Sequence, residues 1–410
     1  MDEVLGLGPE AYSPELVRLI ARQGSRDSFG EAREELRVHQ GLDISPSQVQ
    51  AITERVGREW AAQRDRDVEA FKKGELGRWH GEAPQVAAVM VDGGRVQTRE
   101  EGAPQGVQGA QWKEDKVGCC LTLASHVAPT DPQPTPPNAF LDAERVPRLV
   151  QEVQHRMAVP RERAKGAEPR GTRKLGKKKR PPRVRVLLRS AVASMQSAQE
   201  FGYMLASEAY RRGLDRASRK AFLGDGQAYN WTIHEEHFQE WGFIPVLDFL
   251  HLLTYLYPAA YAAGGAPPAQ WARYRQWLTW AWSGAREKLW AALQESAAVV
   301  GKPPKGAPEK DPRVVLADAC RYVTNNIEKM DYPRYRKLGL PISSAPVESL
   351  IKQFNRRLKG TEKFWTPQGA EGVLQVRAAY LSQDDRVDRF WAAPRPRYRA
   401  VGRNRLALAG

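Results

Sequence analysis

Between residues 13 and 75, apolar side chains recur three and four positions apart, which places them on single helix faces. Ser28-x-x-Glu31 is a capping box ahead of Phe29, Ala32 and Leu36, and Gly41 ends that helix. Ser45-Pro46-Ser47-Gln48 starts another, with proline in the first turn and Val49, Ile52, Val56 and Trp60 along one face. Two helices with a tight turn between them are compatible with helix-turn-helix reading of DNA and equally with plain helical packing.

From residue 85 the period shortens. Val86–Val91, Arg95–Arg99 and Val117–Ser125 predict three antiparallel strands, the first two joined by a tight hairpin at Gly93-Gly94. Residues 127–138 carry five prolines and read as a loop, followed by a short helix. Residues 191–212 read as helical, with Met195, Ala198, Phe201, Met204 and Leu205 as the apolar stripe. A short strand then leads to Asp225, a short helix covers about 233–240, and Phe243–Leu247 is another strand. Three strands, a helix, then strand–helix–strand predicts an α/β fold built on a ribonuclease-H-like mixed sheet.

Beyond residue 249 the pattern is helical again, and five of the chain's 12 tryptophans (Trp271, Trp277, Trp280, Trp282, Trp290) crowd into 20 residues. Such aromatics are expected mainly as core, a minority serving as stacking platforms for unpaired bases. The predicted organisation is a helical region over 1–80 and a mixed-sheet core over 83–250 with a basic loop at 160–185. A Trp-rich all-helical insertion at 251–340, a returning helix region at 341–385 and a basic tail at 386–410 complete it.

Charge changes the picture. The 410 residues carry a net charge of +15, which calls for a polyanionic partner. Residues 161–189 hold 13 Lys and Arg against 2 Glu, with Lys177, Lys178, Lys179 and Arg180 in sequence. This tract is expected to touch phosphates or to serve as a solvated linker. Apolar runs are too short to span a membrane, and the amino terminus lacks the pattern of a signal peptide. Three cysteines, two of them adjacent, make no disulfide framework, so a reducing cytoplasm is expected.

Three acidic residues then stand out. Asp92 follows the run Ala87–Val91, Asp225 follows Ala221–Gly224, and Glu348 opens an amphipathic stretch after Pro346. Singly, Asp92 fits a hairpin, Asp225 a turn, and Glu348 an exposed ion pair with Lys352. Jointly, carboxylates at two strand ends and a helix suit a pair of hard divalent cations. Two other motifs are less specific. His234-x-x-His237 has no cysteine nearby and reads as surface histidines rather than a zinc site. Glu114 and Lys116 are compatible with lining the site or with a cross-strand charge pair.

The segments Val91-Asp92-Gly93, Trp112 to Gly118, Leu223-Gly224-Asp225-Gly226, Leu247 to His251 and Leu340 to Ser349 occur in an order that resembles bacterial insertion-sequence DDE transposases, in the ISKra-type, Mutator-related branch. The resemblance runs from about residue 5 to 385. It implies that Asp92, Asp225 and Glu348 hold two Mg²⁺ ions, with Mn²⁺ as substitute, for cleaving element ends and joining 3′-hydroxyls to target DNA. It implies a supporting role for Asp248 and His251, within an Asp-x-x-His motif. Expected partners are double-stranded DNA, as terminal inverted repeats and target, and at least one further copy of the chain. A bacterial cytoplasm, with association to the nucleoid when DNA is bound, is the implied location. Lys352, Arg356 and Arg357 add charge beside Glu348 and are expected to contact DNA. An inactive DNA-binding derivative and a metal-dependent nuclease are the alternatives. The chain departs from the family at Ser343 and Ala345, which stand where relatives carry glycine. If those glycines need positive φ, this loop takes another path.

DNA affinity should fall steeply with salt, log K dropping by roughly 0.9 per phosphate contact for each decade of concentration. Charge reversal at Lys177, Lys178, Lys179 and Arg180 is expected to flatten that slope in titrations at several salt concentrations. An unchanged slope would remove the tract from the DNA interface.

Overall fold

A computed structural model describes residues 11–79, 82–99, 111–154, 184–360, 363–393 and 398–399. Lys177, Lys178, Lys179 and Arg180, with most of the 160–185 loop and of the basic tail, lie outside the described residues. Strand β1 (Ala11–Tyr12) pairs with β7 (Tyr398–Arg399) and leads into helices α1 (Pro14–Arg26), α2 (Phe29–Gln40) and α3 (Pro46–Lys72). Ser28–Glu31 and Ser45–Gln48 both form the expected capping boxes, and Gly41 ends α2 in the left-handed conformation. The Val49, Ile52 and Val56 face of α3 is buried against Val17, Ile20 and Leu36. That face is therefore spent on helical packing.

The sheet has five strands, β2 (Val86–Thr98), β3 (Gln111–Ala124), β4 (Arg185–Ser194), β5 (Arg219–Gly224) and β6 (Ile244–Leu247), in the order β4-β3-β2-β5-β6. The β2–β3 and β3–β4 pairs are antiparallel, and β2–β5 and β5–β6 are parallel. The molecule is thus α/β with a mixed sheet. Central strand β2 is buried from Val86 through Val91, as expected of a strand covered on both faces. Helix α4 (Arg145–Gln154) precedes β4, α5 (Ala198–Arg211) follows it, and α6 (Ala228–His237) bridges β5 to β6.

Three expectations are corrected. The Gly93-Gly94 hairpin does not form: β2 runs straight through it, with Gly93 opposite Lys116 and Gly94 opposite Asp115. Neither glycine has the positive φ that tight hairpin turns demand. The third antiparallel strand comes instead from Arg185–Ser194, so residues 191–194 are strand, and the helix starts only at Ala198, capped by Ser197. The helix expected near 233–240 lies at Ala228–His237.

Helices α7 (Phe249–Ala262), α8 (Pro267–Ser283), α9 (Arg286–Val300), α10 (Pro312–Asn326) and α11 (Tyr332–Lys337) make up the helical segment after β6. Trp277 and Trp282 are core there, whereas Trp290 is exposed and donates through Nε1 to Thr324. The chain returns through α12 (Ala345–Leu358), which packs on β2 and β3, then α13 (Pro367–Leu381) and α14 (Arg386–Ala392). No described helix is long and apolar enough to cross a membrane.

Helices α3 and α13 cross where Gly57 faces Gly372. A Cβ on Gly57 would lie 2.2 Å from the Gly372 carbonyl oxygen, so backbone must move to admit a methyl group. Gly57→Ala is expected to cost about 1–3 kcal/mol, as overpacking does, in denaturant unfolding. A cost near zero would show that the crossing tolerates separation.

Candidate metal centre

The parallel register delivers the acids. Met90 is level with Leu223 across β2–β5, and Gly224 with Leu247 across β5–β6. Continuing that register brings Asp92, Asp225 and Asp248 to one level on three adjacent chains, about 4.8 Å apart per step. Gly226, at φ +97°, turns the chain sharply after Asp225. Asp248 caps α7, accepting from the Leu250 N–H at 2.7 Å.

Each carboxylate is held. Asp92 is buried and accepts from the Gly93 N–H at 2.8 Å. Asp225 Oδ1 accepts from the Gln227 N–H at 3.0 Å and from Asn230 Nδ2 at 2.7 Å, and Oδ2 from Gln227 Nε2 at 2.9 Å. From the helical segment, Tyr322 packs against Gly226 and donates its hydroxyl to the Asp225 carbonyl at 2.7 Å. Asp248 is fully buried and also accepts from the Ser344 N–H at 3.2 Å and from the Ser344 hydroxyl.

His251 joins the acids. Its Nδ1 lies 3.0 Å from Asp248 Oδ2. Asp92, Asp225 and His251 offer ligand atoms all within 4.8 Å of one another, and so do Asp248, His251 and Glu348. The two groups meet on the imidazole. Glu348 is 7% exposed, in the first turn of α12, and its Oε1 is 3.3 Å from the Ser344 hydroxyl. It is therefore no exposed partner for Lys352. The loop before it needs no glycine: Ser344 has φ −85°, Ala345 begins the helix, and no described non-glycine residue has positive φ.

Burial opposes the charge on both Asp248 and His251, but each stabilises the other's ionised form. The Asp248 carboxyl is held below the usual range, aided by Ser344 and the Leu250 N–H. His251 is raised to about 9 by the Asp248 hydrogen bond and by the charges of Asp248, Asp92 and Asp225. Without metal, the imidazolium supplies the positive charge among these acids.

Other expected residues part company. Arg357 is corrected: it is 2% exposed, its guanidinium lies 4.4 Å from the Phe29 ring and 4.8 Å from that of Trp365, and Nε donates to the Gly24 carbonyl. Its charge lies inside the protein, away from any surface phosphate, whereas Lys352 and Arg356 are exposed. His234 is buried with Nε2 2.7 Å from the Phe243 carbonyl, and His237 packs edge-on to Tyr203, so neither is a surface residue. Lys116 pairs with Glu114 along one strand at 3.1 Å, not across two.

Asp115, Tyr229 and Lys359 are not among the expected site residues. Asp115 sits opposite Gly94 and is 1% exposed, and burial pushes its carboxyl up to about 6 against the opposing charge of Lys359. Lys359 follows Glu348 by eleven residues, about three helical turns, and is the C-cap residue just beyond α12. That spacing was the signal available. No family model matches the chain, and no curated protein matches it either.

A histidine whose folded pKa is raised stabilises the fold fully below its unfolded value, near 6.5, and loses that contribution as pH climbs through about 9. The metal-free protein should therefore lose roughly 1–3 kcal/mol of stability across that window. His251→Gln should flatten the profile in denaturant unfolding. Parallel profiles would show that the imidazole is neutral in the fold.

Proposed function

We propose that the chain is a DDE-type DNA transposase that cleaves DNA at element ends and joins the 3′-hydroxyls to target DNA. The observation that carries this reading is the convergence of Asp92 and Asp225, from adjacent parallel strands, with Glu348, from a distant helix, around His251. The strand order supports it: counted in chain order within the sheet it runs 3-2-1-4-5, with the second strand antiparallel to the rest, as a ribonuclease-H-like sheet would require. The +15 charge supports a nucleic-acid substrate.

The donor set fits divalent cations. Asp92 and Asp225 supply oxygens suited to Mg²⁺, which keeps several waters. With His251 as a third ligand, Mn²⁺ is the better match, because imidazole is a poor ligand for Mg²⁺. Asp248 on Nδ1 is the partner expected of a metal-binding histidine, since it orients the ring and leaves Nε2 for the ion. When bound, the ions would activate an attacking oxygen and stabilise the leaving one. The chain's own residues aim the ligands: Gln227 and Asn230 fix Asp225, Tyr322 fixes its backbone, and Ser344 bridges Asp248 to Glu348.

Strand-transfer assays on element ends with Mn²⁺ or Mg²⁺ test the reading. Wild type should give joined product, and Asp225→Asn should reduce it to background. Cleavage without joining would make the protein a nuclease, and DNA binding indifferent to metal, with no cleavage, would leave a DNA-binding derivative. Asp248→Asn is expected to weaken Mn²⁺ binding by roughly 10–100-fold in calorimetric titration, the usual effect of removing a partner behind a metal ligand.

A further inference from the structure

We propose that Arg26, Arg356 and Arg377, where the carboxy-terminal ends of α1 and α12 meet α13, form a surface that seats the sugar–phosphate backbone of duplex DNA. The surface rests on the nucleic-acid reading and gives the duplex a path along α12, away from the candidate metal centre.

Three contacts bring the helices together. Tyr380 of α13 donates its hydroxyl to the Arg18 carbonyl of α1 at 3.3 Å, and its ring takes the Arg22 guanidinium at 5.8 Å. Arg26 lies one turn further along α1 and Arg377 one turn back along α13, close enough that the charge of one acts on the other. From α12, Arg357 Nε donates to the Gly24 carbonyl at 2.8 Å. That bond sets the neighbouring Arg356 at the same end of α1, where it too acts on Arg377.

The charges there are unmatched. Arg26 and Arg356 are exposed and Arg377 is half-buried. Arg377 Nε is buried without a hydrogen-bond partner among the described residues. The acids in range have other partners: Asp27 lies 3.4 Å from Arg26, Glu31 accepts from the Ser28 N–H, and Glu54 accepts from Gln50 at 2.8 Å. Burial holds Arg377 below the usual arginine range, and Arg26 and Arg356 add to this against Asp27. Beneath them, burial brings Arg357 down to about 10, and Arg377 adds to it against Asp27, Glu31 and Glu54. An anion among these guanidiniums relieves their repulsion, and a phosphate also accepts two parallel bonds from one of them.

Position selects the polyanion. Glu348, Lys352 and Arg356 follow one another at steps of four on α12, so an exposed lysine and an exposed arginine lead from the metal centre to this surface. Those eight residues of helix span about 12 Å, and DNA carries a phosphate roughly every 3.4 Å of each strand. A duplex with its reacting phosphate at the acids therefore passes Lys352 and meets Arg356 and Arg377 about three to four phosphates on. A lipid surface gains nothing from a row of cations that starts at buried carboxylates.

Titrations of the full chain with a fluorescent duplex of about 20 base pairs, in EDTA and at several salt concentrations, test the surface. Arg377→Gln and Arg26→Gln should each weaken binding about three- to tenfold and lower the salt slope by about one. Thermal unfolding of Arg377→Gln should match wild type or rise, because a repulsion is removed. An unchanged slope in either variant would overturn the proposal. So would loss of binding to phosphatidylserine vesicles with DNA binding intact, which would assign the surface to lipid. Arg26→Gln changes an exposed side chain and decides the matter if Arg377→Gln folds poorly. Because EDTA removes metal from the readout, the two readings fail separately. A wild type that neither cleaves nor joins DNA with Mn²⁺, while both variants show the lowered slope, would sink the strand-transfer reading and keep the surface.

Discussion

The buried carboxylate of Asp248 is the constraint on which the site depends. It ends β6, caps α7, fixes His251 and accepts from the Ser344 backbone and hydroxyl at the start of α12. A fully buried carboxylate is tolerable only when every lone pair is used, and here four donors converge on two oxygens. Because two of those donors belong to Ser344, 96 residues away, the requirement to satisfy Asp248 also positions Glu348. Removing a single partner from such an arrangement typically costs about 3–5 kcal/mol, so strand end, helix start and distant helix behave as one unit.

That unit ties the helical segment between β6 and α12 to the candidate site. Tyr322 of α10 stacks on Tyr255 of α7 with centroids 3.8 Å apart and donates to the Asp225 carbonyl. Its ring sits where any side chain at position 226 would have to go. The turn that exposes Asp225 is thus built from one glycine that permits it and one tyrosine that closes over it. A segment inserted between the last strand of the sheet and α12 contributes stiffness to the site, with its indoles largely occupied in its own core.

How far the sequence carried the fold follows from what each signal measures. Caps are local, so Ser28–Glu31, Gly41 and Ser45–Gln48 were readable and form as expected. The apolar run before Asp92 and the one before Asp225 were readable because central strands leave no polar alternation to confuse. The strand Arg185–Ser194 was hidden: its first half is exposed at the sheet edge and carries the basic composition of the tract before it. In the site, Asp92, Asp225 and Glu348 were legible as strand-end and helix-start acids. The centrality of His251 was not, because it depends on how α7 leaves β6. Arg357 was misread because charge on an amphipathic helix normally marks its wet face, whereas this guanidinium is buried between two aromatic rings.

The glycine pair makes the same point most sharply. Gly-Gly between apolar runs has two physical meanings, freedom in φ or freedom from a side chain, and sequence does not separate them. In a hairpin the first would matter, and the dipeptide would mark the end of a strand. In this sheet both residues keep ordinary extended backbone and full pairing with β3, so only the second remains. A strand interior weakened by two glycines has to gain something where the Cβ atoms are missing. On the Gly93 side of the sheet that is the Tyr229 hydroxyl and on the Gly94 side the Asp115 carboxylate, each beside a residue within two of Asp92 along the strand. The strand gives up packing next to its acid and makes room for one polar group on each face of the sheet.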